Sequence, residues 1–138
     1  MANRFWLGTT DTAYGNNANW SATSGGTAGA SVPTNTDIAI FDSNSSGNCV
    51  LANTSLNQLR VESGFAHQLV TSSSVTITIA DNSGSDGYIE INKASSLAFT
   101  SGNIASFVFT KGGLDVYDGG GSQITYANVY VKYGANTS

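Results

Sequence analysis

Residues able to do chemistry are few in this sequence and widely spaced. Two pairs of carboxylates lie close together: Asp115 with Asp118 across a Val-Tyr pair, and Asp86 with Glu90 at the start of an alternating run. A glycosidase needs two such acids about 5–10 Å apart, one with a raised pKa. Both pairs adjoin Gly-rich turns, where Asp commonly caps the backbone, so turn or solvated acids are favoured over catalytic ones. The stretch Asp81–Gly87, DNSGSDG, places oxygen donors at alternate positions, as calcium loops do. It lacks the closing Glu of an EF-hand and is flanked by strand-like runs. A plain turn is favoured, with Asp81 and Asp86 the weak metal candidates, and no cofactor is expected.

His67 is the only histidine and Cys49 the only cysteine. Together they cannot build a zinc site of nitrogen and sulfur ligands, and no internal disulfide is possible. A Ser-His-Asp triad would have to use His67, yet no G-x-S-x-G elbow is present, so His67 reads as a surface or turn residue. Cys49, beside Val50 and Leu51, reads as a small buried apolar residue. Gly119-Gly120-Gly121 precedes a strand-like run and has no partner Lys, so it is a turn and not a phosphate cradle. Four Asn-x-Ser/Thr sequons, at Asn19, Asn44, Asn53 and Asn136, match what chance gives 14 Asn among 34 Ser and Thr, and carry no information on glycosylation. Tyr88, Tyr117, Tyr130 and Tyr133 read as outward residues that suit a protein- or sugar-binding face.

The elements that must position these groups are strands. Gly, Ser, Thr and Asn supply 64 of 138 residues, and charged residues only 10%. Helix surfaces prefer Ala, Leu, Glu, Lys and Arg, which are scarce, so composition points to an all-β protein of one domain. Short alternating runs recur: Gln58–Val61, Gln68–Val70, Val75–Ala80, Tyr88–Ile91, Leu97–Thr100, Ser106–Thr110, Leu114–Tyr117, Gln123–Tyr126 and Asn128–Lys132. Period-2 alternation turns Leu59, Val61, Val75, Ile77, Ile79, Ile89, Ile91, Leu97, Phe99, Phe107, Phe109, Leu114, Val116, Ile124, Val129 and Val131 inward, and Thr76, Thr78, Glu90, Asp115 and Thr125 outward. The spacing fits a short β-helix or solenoid with two strands per coil of about 20 residues. A β-sandwich or jelly roll is the alternative.

The first 36 residues differ from the body, 37–138. They hold Phe5, Trp6, Tyr14 and Trp20 but only Arg4 and Asp11 as charges. Such rings must pack on the chain or on a partner. The segment therefore reads as an N-terminal arm or cap, ahead of a first strand at Asp37–Asp42 and a body able to fold alone.

The net charge is −4, and Arg4, Arg60, Lys93, Lys111 and Lys132 are scattered. Nucleic-acid and anionic-membrane partners are disfavoured without a basic cluster. No run suits a spanning helix, and the N-terminus does not read as a secretory signal.

Phe5-Trp6, Asn19-Trp20-Ser21, Gly29-Ala30-Ser31-Val32-Pro33 and DIAIFD at Asp37–Asp42 resemble a leader found ahead of β-helical regions in bacterial surface and phage structural proteins. LNQLRVESGF and SVTITIADNSG resemble coils of those regions. In size and character the chain is similar to the decoration, or cement, proteins of tailed-phage capsids. That resemblance implies a non-enzymatic homotrimer on the capsid exterior, assembled in the host cytoplasm, with the major capsid protein as partner. Phe5, Trp6, Tyr14, Trp20, Tyr130 and Tyr133 are then the expected partner-binding residues. The rivals are a carbohydrate- or receptor-binding module of a tail fibre, which predicts Tyr and Trp along an exposed groove, and a glycan-cleaving β-helix enzyme.

Overall fold

A computed structural model describes residues 1–79, 87–92, 96–99, 103, 105–109, 116–117 and 129–133. The chain is all-β: among the described residues, strands dominate, and a 3-10 turn is formed at Asn17–Asn19. The strands are β1 (Asn3–Trp6), β2 (Trp20–Ser21), β3 (Ile38–Phe41), β4 (Cys49–Val50), β5 (Thr54–Leu56), β6 (Gln58–Val61) and β7 (Leu69–Thr71). They continue with β8 (Val75–Ile79), β9 (Tyr88–Ile91), β10 (Leu97–Phe99), β11 (Ala105–Phe109), β12 (Val116–Tyr117) and β13 (Val129–Tyr133). The runs Gln58–Val61 and Tyr88–Ile91 have the bounds the alternation predicts. The run Gln123–Tyr126 lies outside the described residues.

The strands form three sheets, ordered β12-β9-β6-β3-β1-β2, β10-β7-β4 and β13-β11-β8-β5. From β3 to β9 each strand pairs in parallel with the one three places later, so the connection between neighbours in one sheet runs through the other two sheets. This corrects the expected step of two strands. The step of three holds among the predicted runs themselves, β6 to β9, β7 to β10 and β8 to β11, and the short β4 and β5, which alternation did not reveal, extend it to the layer before. Sandwiches of hairpins and jelly rolls rest on antiparallel ladders, whereas here only β1 with β2 is an antiparallel strand pair among the described residues.

Register lays like residues over one another. Ala39, Leu59 and Ile89 form one row, Phe41, Val61 and Ile91 a second, Cys49, Leu69 and Leu97 a third, and Ile77 with Phe107 a fourth. All are buried in one apolar cluster. Thr76 is exposed, and Thr78 and Glu90 are half-buried, as the alternation requires.

The first 36 residues are built into this frame and do not extend as an arm. β1 pairs in parallel with β3, placing a strand before the one expected at Asp37–Asp42, and β2 pairs antiparallel with β1. Trp6 and Trp20 stand edge to face at 5.2 Å, Trp20 meets Phe41 at 5.8 Å, and Phe41 meets Phe65 at 5.5 Å. Burying such rings is among the largest apolar gains a small domain can make. Gly8 lets the chain turn beneath Trp6. Its φ is +64°, and a Cβ there would lie 2.7 Å from the Trp6 indole nitrogen.

Candidate partner-binding surface

The expected partner-binding aromatics are mostly inside the subunit. Trp6 and Trp20 are 0% exposed and Tyr14 is 2% exposed. The indole N–H of Trp6 donates to the Gly47 carbonyl at 2.9 Å, and that of Trp20 to the Tyr14 carbonyl at 2.8 Å. A buried indole needs such a partner, and both have one. Trp6, Tyr14 and Trp20 are therefore core residues and not surface anchors, which corrects their expected placement. Phe5 alone of the four keeps some exposure, half-buried at a register shared with Ser21 and Ile40. Tyr130 and Tyr133 lie on β13, whose backbone aligns them with Ser106 and Phe109 of β11. Tyr88 is half-buried on β9.

The described carboxylates are tied into the fold. Asp11 accepts bonds from the Ala13 N–H at 2.8 Å, Asn16 at 2.7 Å and Asn19 at 2.6 Å. These bonds, the one from Ala13 first, lower its pKa. Asp37 is buried, which pushes its pKa up. Bonds from the Thr34 N–H and hydroxyl and the Ala2 N–H, with the Arg4 charge, outweigh burial and leave the pKa lowered. Asp42 accepts from the Ser24 hydroxyl at 2.6 Å and the Asn44 N–H at 2.9 Å. Glu62 and Glu90 flank Arg60 at 3.5 and 3.3 Å. Glu90 also accepts from the Asn92 amide at 2.8 Å.

Among the described residues no three His, Cys, Asp or Glu side chains come together as metal ligands. Asp81, Asp86, Asp115 and Asp118 lie outside the described residues, so the paired acids and the DNSGSDG stretch are not placed. Cys49 is fully buried, as expected, and burial raises its thiol pKa well above the usual value. His67 is half-buried with its ring 6.0 Å from Phe65.

What remains open at the surface is small and polar. Among the described residues Met1 is the only exposed large apolar side chain. A groove of about 570 Å³ runs beside the corner after β4, lined by Thr12–Gly15, Val50–Asn53 and Ser72–Val75. Its floor is the end of β4 and the corner that follows it. One wall is the N-terminal segment, joined to it by a parallel bridge between Ala13 and Val50. Sequence reasoning missed this feature because its three linings are far apart in the chain and carry no common motif. No protein-family model, characterised protein or solved structure matches this chain.

Proposed function

We propose that this chain is a structural virion protein, a short β-helix-like stack that decorates a viral capsid and stabilises it by binding the coat-protein lattice. The fold reading is supported by three sheets whose strands recur every third element in parallel, with like residues in register. The observation that carries the functional reading is the use made of the carboxylates among the described residues. Asp11, Asp37, Asp42, Glu62 and Glu90 all hold backbone, side-chain or ion-pair partners of the fold itself. Such a molecule suits a rigid, non-enzymatic role. The virion assignment rests on the likeness of the leader and of the LNQLRVESGF run to β-helical phage components.

With the indoles inside, the contact with the lattice draws on Phe5, on β13 and on the hydroxyl- and amide-rich surface. Three copies acting together would multiply a modest contact, which is the value of a homotrimer here. A surface with few charges gives a contact that persists at about 1 M salt, where the screening length is only about 3 Å. The test is electron microscopy of particles with and without the protein, together with sedimentation of the isolated chain. Added density on the shell, kept in high salt, supports the reading. Density on the tail alone, or no association with particles, overturns it.

A further inference from the structure

The groove beside β4 has a specific structural origin. Val50, Val70 and Ala98 share a register in one sheet, and Thr54, Ile77 and Phe107 share one in the next. Val50 and Thr54 are four residues apart, Val70 and Ile77 seven, and Ala98 and Phe107 nine. The corner thus lengthens from layer to layer. The tight first corner forms a floor, and the longer second one pushes the exposed Ser72, Ser73 and Ser74 out as a wall. The opposite wall carries the exposed Thr12, Ala13 and Gly15.

The chemistry of this groove is narrow. No charged side chain lines it, so it offers no ion pair to a charged ligand. The β4 part of the floor has its backbone engaged: Val50 N–H donates to the Thr12 carbonyl at 2.7 Å, Tyr14 N–H to the Val50 carbonyl at 3.1 Å, and Leu51 N–H to the Val70 carbonyl at 2.9 Å. An extended peptide could not add along Val50 as a strand, because strand addition needs open backbone groups. Recognition is left to the hydroxyls of Thr12, Ser72 and Ser73 and the amide of Asn53, over a floor of Val50 and Ala52. The Asn53 carbonyl oxygen already accepts from the Thr76 N–H at 2.8 Å, which orients its amide nitrogen as a donor. Hydroxyls both donate and accept, as sugar hydroxyls do. The volume lies within the range of small-ligand sites.

We propose that this groove binds a neutral saccharide segment. With no carboxylate in the lining, the pair needed for glycoside hydrolysis is absent from the groove, so the ligand is held and not cleaved. The proposal stands independently of the capsid reading, since a saccharide could be met on either a shell or a tail.

The test titrates the full chain, followed by two-dimensional NMR, with a panel of neutral oligosaccharides of glucose, galactose, mannose and rhamnose. A sulfated oligosaccharide is run in parallel. At least one neutral member should shift Gly15, Asn53, Ser72 and Ser73 and saturate below about 10 mM. The double variant Ser72→Val/Ser73→Val should weaken that binding roughly tenfold, from the loss of two hydroxyl bonds. Thr12→Val on the opposite wall should weaken it by less. Ser55→Val, on an exposed position of β5 away from the groove, should change nothing and controls for folding. The proposal is overturned if no neutral sugar shifts these residues, if shifts map elsewhere, if the double variant binds like wild type, or if only the sulfated sugar binds.

Discussion

Two turns of this molecule share a backbone and differ in what fills them. The segments 42–48 and 62–68 each span the gap between a strand of the large sheet and one of the three-stranded sheet. They stack with Phe41 over Val61 and Cys49 over Leu69. Each opens with an acid and a serine, Asp42-Ser43 and Glu62-Ser63, and each ends in an amide, Asn48 and Gln68. Each closes the same way: the Ser45 N–H donates to the Asp42 carbonyl at 3.2 Å, and the Phe65 N–H to the Glu62 carbonyl at 3.0 Å. The equivalent inward residues are Ser45 and Phe65, both buried. In the first turn the interior volume is already taken by Trp6 and Trp20, and the Ser45 hydroxyl donates to the Trp6 carbonyl at 2.8 Å. In the second turn no indole is present, and the Phe65 ring occupies the space. The backbone repeats, and core volume is supplied by whichever segment reaches it.

The sharpest way to break this comparison is to remove the ring that the first turn relies on. Trp20→Ala should cost about 3–5 kcal/mol, read as a lowered denaturant midpoint, because Trp6, Tyr14 and Phe41 all pack on that ring. A variant that unfolds like wild type but no longer binds particles would instead make Trp20 an anchor. Phe65→Ser gives the second turn the residue of the first without its indoles. It should destabilise by about 3 kcal/mol, and a near-neutral effect would mean that the turns are not complementary in volume. Ser45→Ala removes two bonds of a buried hydroxyl, to the Trp6 carbonyl and from the Asp42 N–H, and should cost about 1–2 kcal/mol by the same measurement.

A smaller effect concerns acid stability near the entrance to β3. The lowered pKa of Asp37 means that its contribution is present above the unfolded carboxylate value, about 3.9, and is lost as pH falls through the lower folded value. Asp37→Asn should therefore flatten the acid limb of a stability-versus-pH curve while leaving its neutral shape alone. An unchanged acid limb would show that the Thr34 and Ala2 bonds do not stabilise the charge. Smallest of all, the buried Cys49 thiol should resist alkylation in native buffer and label fully in urea. Rapid native labelling would mean that this row of the core opens readily.

Much of the body was legible because alternation is a local signal. Ile77 and Ile79 flank Thr78 within one strand, so inside and outside can be read from neighbours. The two- and three-residue strands β4 and β5 have no room for a period, and the ladder alone holds them in place. The step of three strands was hidden for another reason: β6, β7 and β8 pair with β9, β10 and β11, all of them alternating runs, but alternation marks which residues face inward and not which strand lies beside which. The aromatic leader was legible as something that must be covered but not by what, since Trp6 and Trp20 pair across a loop whose course depends on Gly8 and the Asn19 bonds. Asn19 accepts from the Thr10 and Asp11 N–H groups and donates to Asp11 and the Ala13 carbonyl, a knot no spacing rule anticipates. The groove was invisible in sequence because it arises from corner lengths, which only the register reveals.

The reversal of direction at β2 has a consequence for self-association. A parallel, in-register sheet ending in an open strand is a template on which another chain can be added, the route by which stacked β proteins grow into fibres. Here the large sheet ends in a two-residue strand running the opposite way. Its outer side is occupied: the Gly29 and Ala30 N–H groups both donate to the Trp20 carbonyl at 3.0 Å, and Ser21 bridges to Ala28. A newcomer would meet the wrong polarity, too short a run, and backbone groups already engaged. The leader thus acts as a polymerisation stop at the β2 edge of the sheet.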